Sequence, residues 1–256
     1  MTSKIILLTL IIMYQLLLSI YDYRSCMKLK VQDITEALRV KIYRLTVVDG
    51  VFPVLLIAIF SFFSDFTMKD IGLRGLSPIP IGWLPIVTYI IAGVAFLLFL
   101  YQTIMCIMSR EYQIKAGEQL ASSEQKGSHY DMVLNKIAMP RTKKEKFWYS
   151  LVSLTAGICE EIVGRGCILF LLQSIFPELG FLFAGIISCV LFALMHAYQG
   201  ILGIIKTGIV GGFFVLLYYV TGSLIPGMIL HFLLDFSSTF LLPTKTGTEI
   251  QSTDAK

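Results

Sequence analysis

Apolar residues fall in long runs along this chain and are separated by polar stretches, so they do not alternate with polar residues at strand spacing. A helix needs about 20 mostly apolar residues to cross a bilayer, and about seven stretches come close to that length. The pattern therefore predicts an all-α fold, a polytopic bundle of about seven transmembrane helices. The predicted spans are 4–21, 46–64, 82–108, 148–176, 179–197, 200–220 and 223–242.

Two polar stretches, 22–45 and 109–147, carry most of the positive charge, whereas the stretch 65–81 has only Lys69 and Arg74. Cytoplasmic loops of membrane proteins are enriched in lysine and arginine, so we expect both basic loops on the cytoplasmic side. The polar tail 243–256 then lies on that side as well, and we expect it to be frayed. The first apolar run has no small-residue cleavage signal and is interpreted as a retained span.

The composition supports a membrane protein. Hydrophobic residues make up 56% of the chain and charged residues 15%, and the mean hydropathy is +0.77. A soluble domain would carry about 25% charged residues. The net charge of +4 is explained by the loops between spans, so we expect the lipid bilayer and no nucleic acid as a partner.

Ionisable residues inside apolar spans are costly and mark functional sites in membrane proteins. Most of them here lie in the last four predicted spans, where we place the catalytic core. They are Glu160, Glu161 and Arg165 in the fourth span, His196 in the fifth, Lys206 in the sixth, and His231 and Asp235 in the seventh. We expect Lys206, near a helix end, to extend to the headgroups, and His129, in a charged loop, to be solvated.

Helical spacing sorts these residues into pairs. Glu161 and Arg165 are four residues apart and can pair on one helix face, whereas Glu160 is turned about 100° away. We therefore expect Glu160 to meet His196 and His231 across the bundle. A glutamate beside histidines in a partly dry cavity can activate water as a general base. The alternative is a zinc ion held by the same three side chains, although the usual HExxH signature is absent.

Three short motifs in this region resemble those of the CPBP family of intramembrane metalloproteases, the CAAX prenyl protease and bacteriocin-processing (Abi-like) group. EEIVGR at 160–165 resembles the EExxxR motif, FALMH at 192–196 the FxxxH motif, and HFLLD at 231–235 the HxxxN or HxxxD motif. IGLRG at 71–75 is similar to an LGLR element found upstream in bacterial members. We therefore expect N-terminal spans and loops over 1–145, a protease core over 146–242 and a tail over 243–256.

The resemblance implies a role for each matching residue. Glu160 resembles the catalytic glutamate that activates water with His196, and His231 resembles an oxyanion-stabilising residue with position 235 as its partner. Glu161, Arg165 and Phe192 resemble supporting residues. Position 235 is aspartate, and an ionised aspartate cannot donate to an oxyanion. Asp235 is therefore left with three roles: orienting His231, staying protonated or binding a metal.

The expected function is an intramembrane endopeptidase that hydrolyses peptide bonds near the cytoplasmic face of a bacterial plasma membrane, in the manner of CAAX processing. Its substrate would be a peptide or a membrane protein, either prenylated or carrying a leader peptide. Two alternatives stay open: a bacteriocin immunity protein that needs no catalysis, and a proton or ion carrier. A carrier is disfavoured because the chain has no internal repeat of the transporter kind.

Overall fold

A computed structural model describes residues 2–77, 82–124 and 129–244, and the side chains of 120–124 and 129–131 are not described. All regular elements in these ranges are helical. The predicted all-α class is therefore confirmed. The α-helices are α1 (Thr2–Lys28), α2 (Glu36–Phe62), α3 (Trp83–Met108), α4 (Arg110–Glu124), α5 (His129–Ala138), α6 (Lys143–Thr155), α7 (Leu169–Ile175), α8 (Phe181–Met195), α9 (Gly200–Thr221) and α10 (Ile225–Thr239).

Four helical runs in the described ranges are long and apolar enough to cross a bilayer: α1, α2, α3 and the run Ala197–Thr221 that contains α9. Their outer faces expose large apolar side chains such as Leu97 and Ile209, as lipid-facing helices do. The predicted count of seven spans is not confirmed. Helices α8 and α10 have 15 residues each, which gives about 22 Å of length against a hydrocarbon core of about 30 Å.

The fourth predicted span is one helical run of mixed geometry. It begins with α6, which is capped by Thr142 and Glu145 in a reciprocal capping box. Two π-helical segments, Ala156–Glu160 and Ile162–Ile168, then lead into α7. The phase expected from regular α-helical turns is therefore wrong in detail, because π-helical hydrogen bonds span five residues and widen the turn.

The two basic loops meet at one end of the bundle, which we name the basic end and define by residues 29–35, 109–124, 129–142 and 240–244. Lys136 Nζ donates to the Val31 carbonyl at 2.7 Å, and Lys146 Nζ donates to the Leu242 carbonyl at 2.7 Å. The polar stretches are more helical than expected, since α1 continues to Lys28 and 109–147 contains α4 and α5. Most of the tail, and the side chain of His129, lie outside the described residues.

At the opposite end, the IGLRG segment closes the turn between α9 and α10. The Gly72 carbonyl accepts from Leu224 N at 2.9 Å, and Arg74 Nε donates to the Gly222 carbonyl at 2.8 Å. Gly72 has a φ of +92°, and a Cβ there would lie 2.5 Å from the Tyr218 ring, so a side chain does not fit. The segment thus fixes where α10 begins, and with it the height of His231.

Helix α9 packs along α8 and also contacts α10, as the short connections between these helices predict. The Gly208–Gly212 pair faces α8, since Cβ atoms there would lie 3.6 Å from Ala193 Cβ and 3.9 Å from Cys189 Sγ. These glycines therefore serve helix packing.

Candidate active site

Three helical parts of the C-terminal half, the π-helical run, α8 and α10, bring five ionisable side chains into one cluster. Glu160 comes from the first π-helical segment, and Glu161 follows it. His196 directly follows the last residue of α8, and His231 and Asp235 lie one turn apart on α10. Glu160 Oε2 lies 3.7 Å from His196 Nε2 and 3.8 Å from His231 Nε2. The expected meeting of Glu160 with both histidines is therefore confirmed.

The other ring nitrogen of each histidine is already engaged. His196 Nδ1 lies 2.8 Å from the Phe192 carbonyl oxygen, and His231 Nδ1 lies 2.9 Å from Glu161 Oε1. A carbonyl and an ionised carboxylate only accept hydrogen bonds, so both Nδ1 atoms donate. In the neutral rings this leaves a lone pair on each Nε2, the atom that faces Glu160.

Glu161 and Arg165 form the expected pair within one helical run. Arg165 Nη1 lies 3.2 Å from Glu161 Oε1, and both side chains are 1% exposed. Glu161 also accepts from His231, a contact between helices that the spacing in the sequence does not predict. Gly227 makes room for this carboxylate, because a Cβ there would lie 3.2 Å from Glu161 Oε2.

The cluster is not sealed. The side chain of Glu160 is 33% exposed and that of Asp235 is 35% exposed, against 14% for His196. Asp235 Oδ2 lies 3.7 Å from His231 Nε2. A glutamate and an aspartate therefore border the open side of the site, while Glu161 and Arg165 form its buried floor.

Sequence reasoning missed two groups around this floor. Phe214 of α9 stacks on His231, with ring centroids 5.4 Å apart and planes at 29°. Gly211 lies against the Arg165 guanidinium. An aromatic residue and a glycine in an apolar helix have no pattern that separates a site from ordinary packing. Lys206, by contrast, is exposed on α9, as expected.

A zinc ion was the alternative partner of Glu160, His196 and His231. Among the residues that the structure describes, no group of three or more histidine, cysteine, aspartate or glutamate side chains is arranged to hold a metal ion. The reaction proposed for this site therefore uses only the side chains of this chain, and a comparison of cleavage with and without a chelator tests for a metal.

The fold and the cluster together define a class: a polytopic helical membrane protein with an internal glutamate–histidine site. Residues 143–237 match the family model described as "Type II CAAX prenyl endopeptidase Rce1-like". This range contains all three motifs, so the expected family is confirmed and the chain carries an Rce1-like domain. No curated protein and no solved structure matches the chain. The apolar helices and the domain match thus indicate an integral membrane protein with a membrane-peptidase domain of the CAAX type.

Proposed function

We propose that this protein is an intramembrane endopeptidase in which Glu160 activates a water molecule for attack on a peptide bond. One observation carries the proposal: within the Rce1-like domain, Glu160 Oε2 faces the Nε2 atoms of both His196 and His231 at less than 4 Å. Distances of 3.7 and 3.8 Å are too long for direct hydrogen bonds and are suited to a bridging water.

The hydrogen-bond donors and acceptors around this position support the assignment. A water between the three groups meets acceptors at Glu160 Oε2 and at His196 Nε2, because His196 Nδ1 donates to the Phe192 carbonyl. It can donate to both and keep a lone pair for the substrate carbonyl carbon. Glu160 takes the proton as the carbon–oxygen bond forms, and passes it to the leaving amine when the peptide bond breaks.

His231 and Asp235 complete the site in this proposal. His231 in its protonated form donates from Nε2 to the oxyanion that develops on the substrate carbonyl. Glu161 at Nδ1 and Asp235 at 3.7 Å from Nε2 balance the charge of the imidazolium. Asp235 thus acts on His231 and does not itself contact the oxyanion.

The substrate class follows from the family and the surroundings. The matched model describes CAAX prenyl endopeptidases, so we propose a peptide or membrane-protein substrate, with a prenylated C-terminal segment first and a leader peptide second. We also propose that the basic end faces the cytoplasm, since both basic loops contribute to it. The site lies towards that end, because Asp235 is in the last turns of α10, which leads directly into residues 240–244.

Cleavage of a peptide library that includes prenylated CAAX peptides, by protein reconstituted in bilayers, tests the proposal. We expect Glu160→Gln to lower kcat/KM by about 10³-fold, and His196→Ala by about 10²-fold, as losses of general-base catalysis do. Glu111→Gln is the matched control, because Glu111 is an exposed glutamate paired with Lys115 on α4; it should cleave at the wild-type rate.

Wild-type cleavage by Glu160→Gln would overturn the proposal, and a protective immunity phenotype that survives this change would favour the immunity alternative. Each assay is run with and without a chelator. The water mechanism predicts equal rates, whereas a rate lost on chelation and restored by zinc would favour a metal-dependent mechanism.

A further inference from the structure

The Arg165 guanidinium lies between two aromatic rings. Its Cζ atom is 4.0 Å from the centroid of the Phe192 ring and 5.5 Å from that of Phe214. Among the described residues, Nη1 and Nη2 have no hydrogen-bond partner, and the contact of Nη1 with Glu161 is an ion pair outside hydrogen-bond geometry. The two rings are therefore major neighbours of this buried charge, and cation–π attraction is strongest where water is excluded.

Each of these rings packs closely against one histidine of the site, and Phe192 also lies edge-on to His231 with ring centroids 6.4 Å apart. The Phe192 centroid lies 4.6 Å from that of His196, and the Phe192 carbonyl accepts from His196 Nδ1. The Phe214 ring lies 5.4 Å from that of His231 and is nearly parallel to it. One guanidinium thus connects to both histidines, through Phe192 on one side and Phe214 on the other.

The position of Phe214 is itself fixed. The residue is 4% exposed and packs with Leu217 and Leu230 in a small apolar cluster, against which Ala92 of α3 also packs. Unlike Phe192, it lies outside the three motifs. Its ring is buried beside His231 and Arg165, so a change there reaches the substrate through the positions of these two side chains.

Gly211 allows the guanidinium to lie at this place. A Cβ on Gly211 would lie 3.0 Å from Arg165 Nη2 and 3.3 Å from Phe192 Cδ1. Gly211 and Phe214 are three residues apart and so share one face of α9. The same face of α9 therefore provides both the space for Arg165 and the ring that stacks on His231.

We propose that Phe214 is a positioning residue, whose ring holds the His231 imidazole between Glu161 and Glu160 and is itself held by the Arg165 guanidinium. The proposal rests on the hydrolytic function proposed above. Stacking and cation–π contacts of this kind correspond to about a tenfold change in rate when their loss falls on the transition state.

The first experiment compares kcat and KM for Phe214→Leu, Phe214→Tyr and the control Phe213→Leu. We expect Phe214→Leu to lower kcat about tenfold, with KM within about twofold of wild type because the ring does not reach the open side. Phe214→Tyr keeps the ring and should restore most of kcat. Phe213 is the neighbouring aromatic residue: its ring lies 6.0 Å from that of Phe214 and has no contact with His231 among the described ring pairs, so its variant should retain most of kcat.

A Phe214→Leu protein with wild-type kcat would overturn the proposal, as would a Phe214→Tyr protein that loses as much as the leucine variant. If Phe214→Leu does not fold, a second pair of variants decides. Gly211→Ala should lower kcat severalfold by displacing Arg165, whereas Gly212→Ala, whose Cβ would lie 3.9 Å from Cys189 Sγ, should not. Equal kcat values in these two variants would contradict the proposal.

A readout independent of cleavage separates this inference from the proposed function. Protein with ¹⁵N-labelled histidine has three imidazole signals, and His231→Gln assigns the one of interest. Phe214→Leu should shift the His231 ring protons downfield, because the stacked ring no longer shields them, and Phe213→Leu should not. If Phe214→Leu leaves the His231 signal unchanged, the positioning role is refuted even when the wild-type protein cleaves peptides. If the variant shifts the signal but the wild-type protein cleaves no peptide, only the proposed hydrolytic function is refuted.

Discussion

Glu161 and Arg165 form an ion pair that is shielded from solvent, and this gives a prediction in which stability and activity respond differently. Each side chain is 1% exposed. Removal of one partner of such a pair leaves an uncompensated buried charge and costs about 3–5 kcal/mol. Replacement of both by apolar residues of similar size is often neutral or stabilising.

We therefore expect Glu161→Leu and Arg165→Met to lower stability strongly when made singly, and the double variant to recover at least about 3 kcal/mol of the summed loss. For a chain of 150–250 residues this corresponds to about 6–12 °C in the unfolding midpoint. Activity should not recover. Glu161→Leu also removes the acceptor of His231 Nδ1, and a hydrogen bond to a charged group contributes about 1.5–3 kcal/mol, equivalent to about 10- to 100-fold in rate.

The stability coupling is measured by thermal unfolding, in detergent, of the wild type, the two single variants and the double variant, followed by fluorescence of the two tryptophans. Activity is measured by cleavage of one peptide in bilayers. Strictly additive losses of stability would show that the two charges do not compensate each other. A double variant that cleaves at the wild-type rate would refute the reasoning about His231, because it would act without its Glu161 contact.

Two further predictions concern residues outside the cluster. Gly157→Ala should lower both stability and kcat, measured by the same two assays, because its Cβ would lie 2.7 Å from Phe232 N and would push α10 away. Gly164→Ala is the control and should behave as wild type, because its Cβ would lie 3.8 Å from its nearest neighbour, Phe192 Cδ2. Glu145→Gln should lower stability by about 3 kcal/mol, because the fully buried Glu145 pairs with Arg39 at 2.6 Å. The kcat of the folded protein should stay unchanged, since this pair lies next to the basic end. An unaltered unfolding midpoint or a lowered kcat would contradict this prediction.

Much of the site could be predicted from the sequence because its parts are local. The four-residue spacing of Glu161 and Arg165 requires only helical geometry, and the structure has the pair. The cost of ionisable groups in apolar spans is likewise a property of composition, so the sequence alone groups Glu160, His196 and His231 into one candidate site. The three motifs also identified the family that the match over 143–237 confirms.

Tertiary structure decided which atoms of these residues meet. The hydrogen bond between Glu161 and His231 joins positions 70 residues apart, and the Arg39–Glu145 pair joins positions 106 apart. The spacing of residues within one helix does not predict such contacts, because they depend on how two helices cross. The π-helical segments around Glu160 also changed the phase that regular turns predict.

Sequence alone therefore determined the helical class, the membrane environment, the family and the identity of the polar cluster, since each depends on local composition and spacing. Only the folded bundle showed that Phe214 stacks on His231, that Gly211 admits the Arg165 guanidinium, and that α8 and α10 are shorter than a bilayer is thick. The physical reason is that apolar residues in a helix give the same sequence pattern whether their side chains face lipid, fill a core or support a histidine. Its neighbours across the bundle decide between these roles.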